Sequence, residues 1–99
     1  MIEVNSFNET VLQMLKIDLG KLSPSEDTEA FLAQKIQEAR EAVTIEGMTI
    51  DENSVGDAAI VEMYAAYLYR RRADTENGMP RMLRYMLNNR IFHEKGSVQ

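Results

Sequence analysis

Asp57-Ala58-Ala59-Ile60-Val61-Glu62-Met63-Tyr64-Ala65-Ala66-Tyr67-Leu68-Tyr69 runs without a proline, a glycine or a turn residue and ends in Arg70-Arg71-Arg72. Its apolar residues follow helical spacing and cover most of the wheel, so the segment predicts a helix packed on two or more sides. Ser54 and Asp57 supply an S-x-x-D capping box at its start. The arginines at its end complement the helix dipole. The four alanines let neighbouring backbones approach closely. A central helix of this kind needs other helices around it, and the rest of the chain provides them.

Downstream, after a short polar break, Gly78-Met79-Pro80-Arg81-Met82-Leu83-Arg84-Tyr85-Met86-Leu87-Asn88-Asn89-Arg90 opens a second helix. Proline stands at its first position and Gly96 is its expected stop. Met82, Leu83, Met86, Leu87 and Ile91 are its expected inner face. Upstream, Val11, Leu12, Leu15 and Leu19 recur at helical spacing. Asn8 (with Phe7 stapled on Leu12) and Ser6 (with Glu9) compete to cap that helix, and Gly20 closes it. Ser23-Pro24-Ser25-Glu26 reads as serine at N-cap, proline at N1 and glutamate at N3 of a further helix. Leu32, Ile36, Ala39 and Val43 are its inner stripe, Gln34, Lys35, Gln37, Glu38, Arg40 and Glu41 its outer face, and Gly47 its end. Met48-Thr49-Ile50 is a short extended connector. The fold class is therefore all-α, a compact single-domain bundle of three to four helices with short loops, the helices spanning roughly 8–19, 24–46, 55–73 and 80–95.

Size and composition set further bounds. Ninety-nine residues with 44% apolar content make one domain with a modest core. The absence of cysteine excludes disulfides, zinc-thiolate sites and thiol catalysis. Met1-Ile2-Glu3-Val4-Asn5 lacks a positive leader, and the stretch Ala58 to Leu68 is far short of the ~20 residues that span a bilayer, so a soluble intracellular protein is expected, with no membrane partner.

Charge divides the chain. Residues 1–62 carry 4 Lys/Arg against 13 Asp/Glu, a net −9, and residues 63–99 carry 7 against 3, a net +4. Such a molecule can bind a copy of itself head to tail or offer its basic end to an acidic partner. The basic end is almost entirely arginine, which favours geometry-specific pairing with carboxylates or phosphates. The candidate interface residues are Arg70, Arg71, Arg72, Arg81, Arg84 and Arg90 with Tyr67 and Tyr69. The candidate acidic counter-face is Glu26, Asp27, Glu29, Glu38 and Glu41, with Glu46 beside it. The plain alternative for the arginines is a solvated helix end. For Tyr64, Tyr67, Tyr69 and Tyr85, a core edge or subunit interface is favoured over a base-stacking platform.

No residue pattern points to catalysis, a metal or a cofactor. Asp51, Asn53, Gly56 and Glu62 match four positions of a calcium loop, but Val55 and Ala59 stand where ligands belong, so a polar turn leading into a cap is expected. His93 has no nearby second ligand. The serines read as caps or tail, and the five scattered glycines form no phosphate loop.

The run Met63 to Arg72, then Met79-Pro80-Arg81-Met82-Leu83-Arg84-Tyr85, then Leu87-Asn88-Asn89-Arg90 with Phe92, resembles small α-helical head–tail connector (adaptor) proteins of tailed bacteriophages and prophages. The earlier helix with Ile36, Ala39, Val43 and Gly47 fits the same outline, so the resemblance covers roughly residues 24–93. It implies a non-enzymatic virion protein that forms a ring of its own copies beneath the portal and joins capsid to tail. Its implied partners are the portal protein and downstream neck and tail proteins, with DNA only passing through the channel. The implied location is the bacterial host cytoplasm during assembly and then the neck of the virion. The resemblance transfers no individual functional residue. Two other classes remain open on the residues: a small nucleic-acid-binding helical domain using the C-terminal arginines, and a regulatory protein-interaction module binding through the last helix.

Overall fold

The computed structural model describes residues 4–71 and 78–97, with side chains from Ser6 to Arg71 and from Gly78 to Gly96. Four α-helices and no strand occur among them: α1 (Val4–Leu19), α2 (Glu26–Ile45), α3 (Val55–Arg71) and α4 (Arg81–Ser97). The protein is an all-α bundle.

α1 buries Phe7, Val11 and Leu15, one residue per turn. It begins before both Ser6 and Asn8, so neither residue caps it. It ends at Gly20, whose φ of 71° allows the Lys21 amide to reach back to the Lys16 carbonyl at 2.8 Å, the six-to-one bond of a Schellman ending. α2 starts two residues later than the S-P-S-E pattern suggests. Ser25, not Ser23, is the N-cap, its hydroxyl accepting from the Thr28 amide at 3.2 Å. Pro24 therefore precedes the helix, and Glu26, Asp27 and Glu29 fill its first turn, where the dipole favours them. α2 buries Leu32, Ile36, Ala39 and Val43 and stops at Gly47 (φ 115°), with the Met48 amide bonded to the Val43 carbonyl at 3.0 Å. That ending turns Met48 into the core, where it is 1% exposed.

The loop from Met48 to Ser54 runs into a cap. Ser54 Oγ accepts from the Asp57 amide at 3.0 Å, while Asp57 Oδ2 accepts from the Asp51 amide at 2.8 Å. Asp51 Oδ1 accepts from the Asn53 amide at 2.9 Å. These bonds employ the polar residues of the calcium-like stretch in closing the turn.

α3 is the hub. α1 and α2 pack on it and on each other, whereas α4 packs chiefly on α3. Ala58, Val61, Ala65 and Ala66 are buried along it, and their small size lets three helices approach one. Tyr69, on the α2 side, meets Phe31 edge to face with ring centroids 5.9 Å apart. Asp57 faces α4, which contributes Leu83 and Leu87 to the core. Pro80 stands just outside α4, its carbonyl accepting from the Arg84 amide at 3.1 Å, and the helix continues through Gly96. No described helix is long and apolar enough to cross a membrane.

Candidate interaction surfaces

The arginine-rich end does not present a uniform patch. Arg84 makes a bidentate pair with Glu46, Nη1 to Oε1 at 2.5 Å and Nη2 to Oε2 at 3.1 Å, fastening α4 to the end of α2. This pair raises the Arg84 pKa further. Arg90 is the second clamp. Its Nε and Nη2 hold the Asp57 carboxylate at 2.8 and 3.1 Å, its Nη1 holds Glu94 at 2.9 Å, and Nη2 also donates to the Thr49 carbonyl at 2.8 Å. The Asp57 side chain is 3% exposed, so Arg90 neutralises a carboxylate that water cannot reach. Glu94 in turn accepts from the Thr49 hydroxyl and amide, which lower its pKa, with Arg90 adding to the effect. Arg84 and Arg90 thus belong to the fold itself and hold α4 in place.

Arg70 donates to Asp18 Oδ1 at 3.1 Å, tying the end of α3 to the end of α1. Arg71 lies over the Tyr67 ring, 5.9 Å from its centroid, with Nη1 3.4 Å from the Tyr67 hydroxyl. Arg71 and Arg81 are exposed and form no ion pair among the described residues. Arg72 lies outside the described residues. Tyr67 meets Tyr64 edge to face at 5.8 Å, and burial raises the Tyr64 pKa. Tyr69, against Phe31 and 5.9 Å from Lys21 Nζ, is a packing residue between α3 and α2.

The acidic residues also separate into two groups. Glu29 pairs with Lys16 at 3.2 Å, Glu38 with Lys35 at 3.2 Å, and Glu41 accepts from Gln37 at 3.3 Å. Glu26 and Asp27 are exposed and form no ion pair among the described residues. Arg40, on the expected outer face of α2, instead turns inward. It holds Glu52 at 2.6 and 3.2 Å, donates to Asn8 at 3.1 Å and covers the Phe7 ring. Three elements meet on that one guanidinium, which is why it is half buried.

Two features escaped the sequence reading. The first is a carboxyl pair. Glu62 is 7% exposed and its Oε2 meets no donor among the described residues. Burial pushes its pKa up to about 8, with a hydrogen bond to Asp18 and the Asp18 charge adding to the rise. Asp18 moves the other way, held down chiefly by that same hydrogen bond and then by Arg70. The two shifts favour Asp18 as the anion and Glu62 as the acid. Asp18 and Arg70 line a 330 Å³ cleft floored by Met63, Ala66 and Leu83. A lone glutamate inside the apolar run 58–68 was the available signal.

The second is a stripe on α4. Met82, Tyr85 and Phe92 are 61%, 65% and 74% exposed. Met82 was expected inside, but Leu83 and Leu87 define the inner face, and 82, 85, 89 and 92 fall on the opposite side of the wheel. The helix is thus apolar on two faces, and its own bundle covers one of them.

Comparison of the chain with protein-family models, curated proteins and solved structures returns no match.

Proposed function

We propose that this protein is a structural assembly subunit, a head–tail connector (adaptor) of a tailed bacteriophage or prophage, without enzymatic activity. Copies form a ring at the portal and join the capsid to the tail. The observation that carries the assembly role is the second apolar face of α4, Met82, Tyr85 and Phe92 turned to solvent opposite the buried leucines. Large side chains grouped on one exposed face mark an interaction surface. The connector assignment rests on the resemblance of residues 24–93 to that family. Charge adds to it: carboxylates without an ion pair among the described residues (Glu26, Asp27) stand at the start of α2, and arginines without one among those residues (Arg71, Arg81) stand at the end of α3 and the start of α4. Two unlike faces on one subunit are what a closed ring of identical copies requires.

The test is antibody labelling of particles from an induced lysogen that carries the gene, viewed by electron microscopy. The expected result is label at the junction of head and tail. Intact tailed particles without label, in a lysate rich in the protein, would overturn the connector assignment.

A further inference from the structure

The assembly surface on α4 has a counterpart elsewhere on the same subunit. Two adjoining depressions run along the outer seam between α1 and α2 and share Leu12 and Ala33. Leu12, Ala30 and Ala33 make an apolar floor, and the small alanines leave the α2 backbone open to close approach. Glu9 and Glu26 stand on the rim, exposed and without an ion pair among the described residues. α4 packs chiefly on α3, and no α4 residue lines this seam.

We propose that the outer stripe of α4 in one copy docks into the α1–α2 groove of the next copy. This rests on the ring reading above and names the contact that builds the ring. Charge complementarity selects a second copy as the occupant: Arg81 adjoins Met82 and Tyr85 on the stripe, and Glu9 and Glu26 flank the groove. Length agrees as well. Met82 to Phe92 and Glu26 to Ile36 are each ten residues of helix, about 15 Å. The contact is heterologous, so each subunit uses its stripe once and its groove once, and the chain of contacts closes only as a ring. Burying three large side chains and the groove beneath removes on the order of 1,000 Å² of surface, the low end for a specific interface. A single contact of that size is weak. Closure strengthens it, because every subunit is then held on both sides.

The chain has no cysteine, so engineered thiols report the contact cleanly. Tyr85→Cys and Ala33→Cys both change exposed positions, and circular dichroism verifies their folding. The two single variants are mixed and oxidised with diamide. The expected result is a covalent dimer in the mixture, formed roughly tenfold faster than in a control mixture of Tyr85→Cys with Ile45→Cys, as a high effective concentration at the contact requires. Each single variant alone forms no covalent dimer at that rate. The double variant Tyr85→Cys/Ala33→Cys gives a ladder of covalent oligomers. Cross-linking of Tyr85→Cys with itself at the rate of the mixture would overturn the proposal in favour of an α4–α4 contact. Cross-linking no faster than the control would overturn it outright. The connector reading is decided separately by label at the neck, so a failed cross-link with labelled necks removes this contact and leaves the role standing.

Discussion

Replacing Glu62 by glutamine isolates the energetic cost of the carboxyl pair. In the folded protein burial raises Glu62 from an ordinary 4.5 to about 8. A folded-state pKa raised above the unfolded value means that its stabilising contribution is fully present below pH 4.5 and is lost as pH rises through 8. For those two values, moving from pH 5 to pH 7 removes about 2.5 kcal/mol. Solvent reaches the Asp18 side of the pair, which is 36% exposed, and screens the charge, which lowers the expected loss to about 1–2.5 kcal/mol. Asp18 has the opposite sign: its lowered pKa contributes stability above 3.8 that is lost as pH falls through its folded value. Wild-type stability is therefore expected to peak in mildly acidic solution and fall toward neutrality. Glu62→Gln keeps a donor for Asp18 and cannot ionise, so its stability stays flat from pH 5 to pH 7. Urea and thermal unfolding followed by circular dichroism at a series of pH values read the difference, and in the thermal scan the variant gains roughly 4–20 °C in Tm at pH 7. Parallel pH profiles for the two proteins would refute the reasoning, because then the Glu62 carboxyl titrates alike in the folded and unfolded chains.

Arg90→Ala strands the buried Asp57 carboxylate and is expected to cost about 3–5 kcal/mol, whereas Arg81→Ala, at an exposed position without an ion pair among the described residues, stays within about 0.5 kcal/mol; chemical denaturation of both variants checks the contrast. Leu83→Ala opens a cavity under α4 and is expected to cost about 2–5 kcal/mol, and hydrogen exchange should show α4 amides losing protection ahead of those in α3 if α4 is the outermost element.

Much of the fold was legible because local rules and burial agreed. The stripe Leu32, Ile36, Ala39 and Val43 appears in both the spacing and the core. Helix starts were less legible. Two serines flank Pro24, and Ser25 is the one whose hydroxyl accepts from an amide of the helix's first turn, that of Thr28 three residues on. On α1 the chain simply remains helical past two competing caps. The site was harder to read, since an arginine looks the same in sequence whether it is free or clamped. Arg84 lies 38 residues from Glu46, and Arg90 lies 33 from Asp57. No local rule links such pairs.

Periodicity, capping residues and the Gly20 and Gly47 endings by themselves determined that the chain makes helices and which face of α2 turns inward, because those depend on contacts within a turn or two. The tertiary structure decided which charges are spent inside the molecule and which remain on its surface. It left Arg71, Arg81, Glu26 and Asp27 outside, joined Glu62 to Asp18, and turned Met82, Tyr85 and Phe92 to solvent. Those outcomes depend on how far a helix is rotated against its neighbours, and that rotation is set by packing around α3.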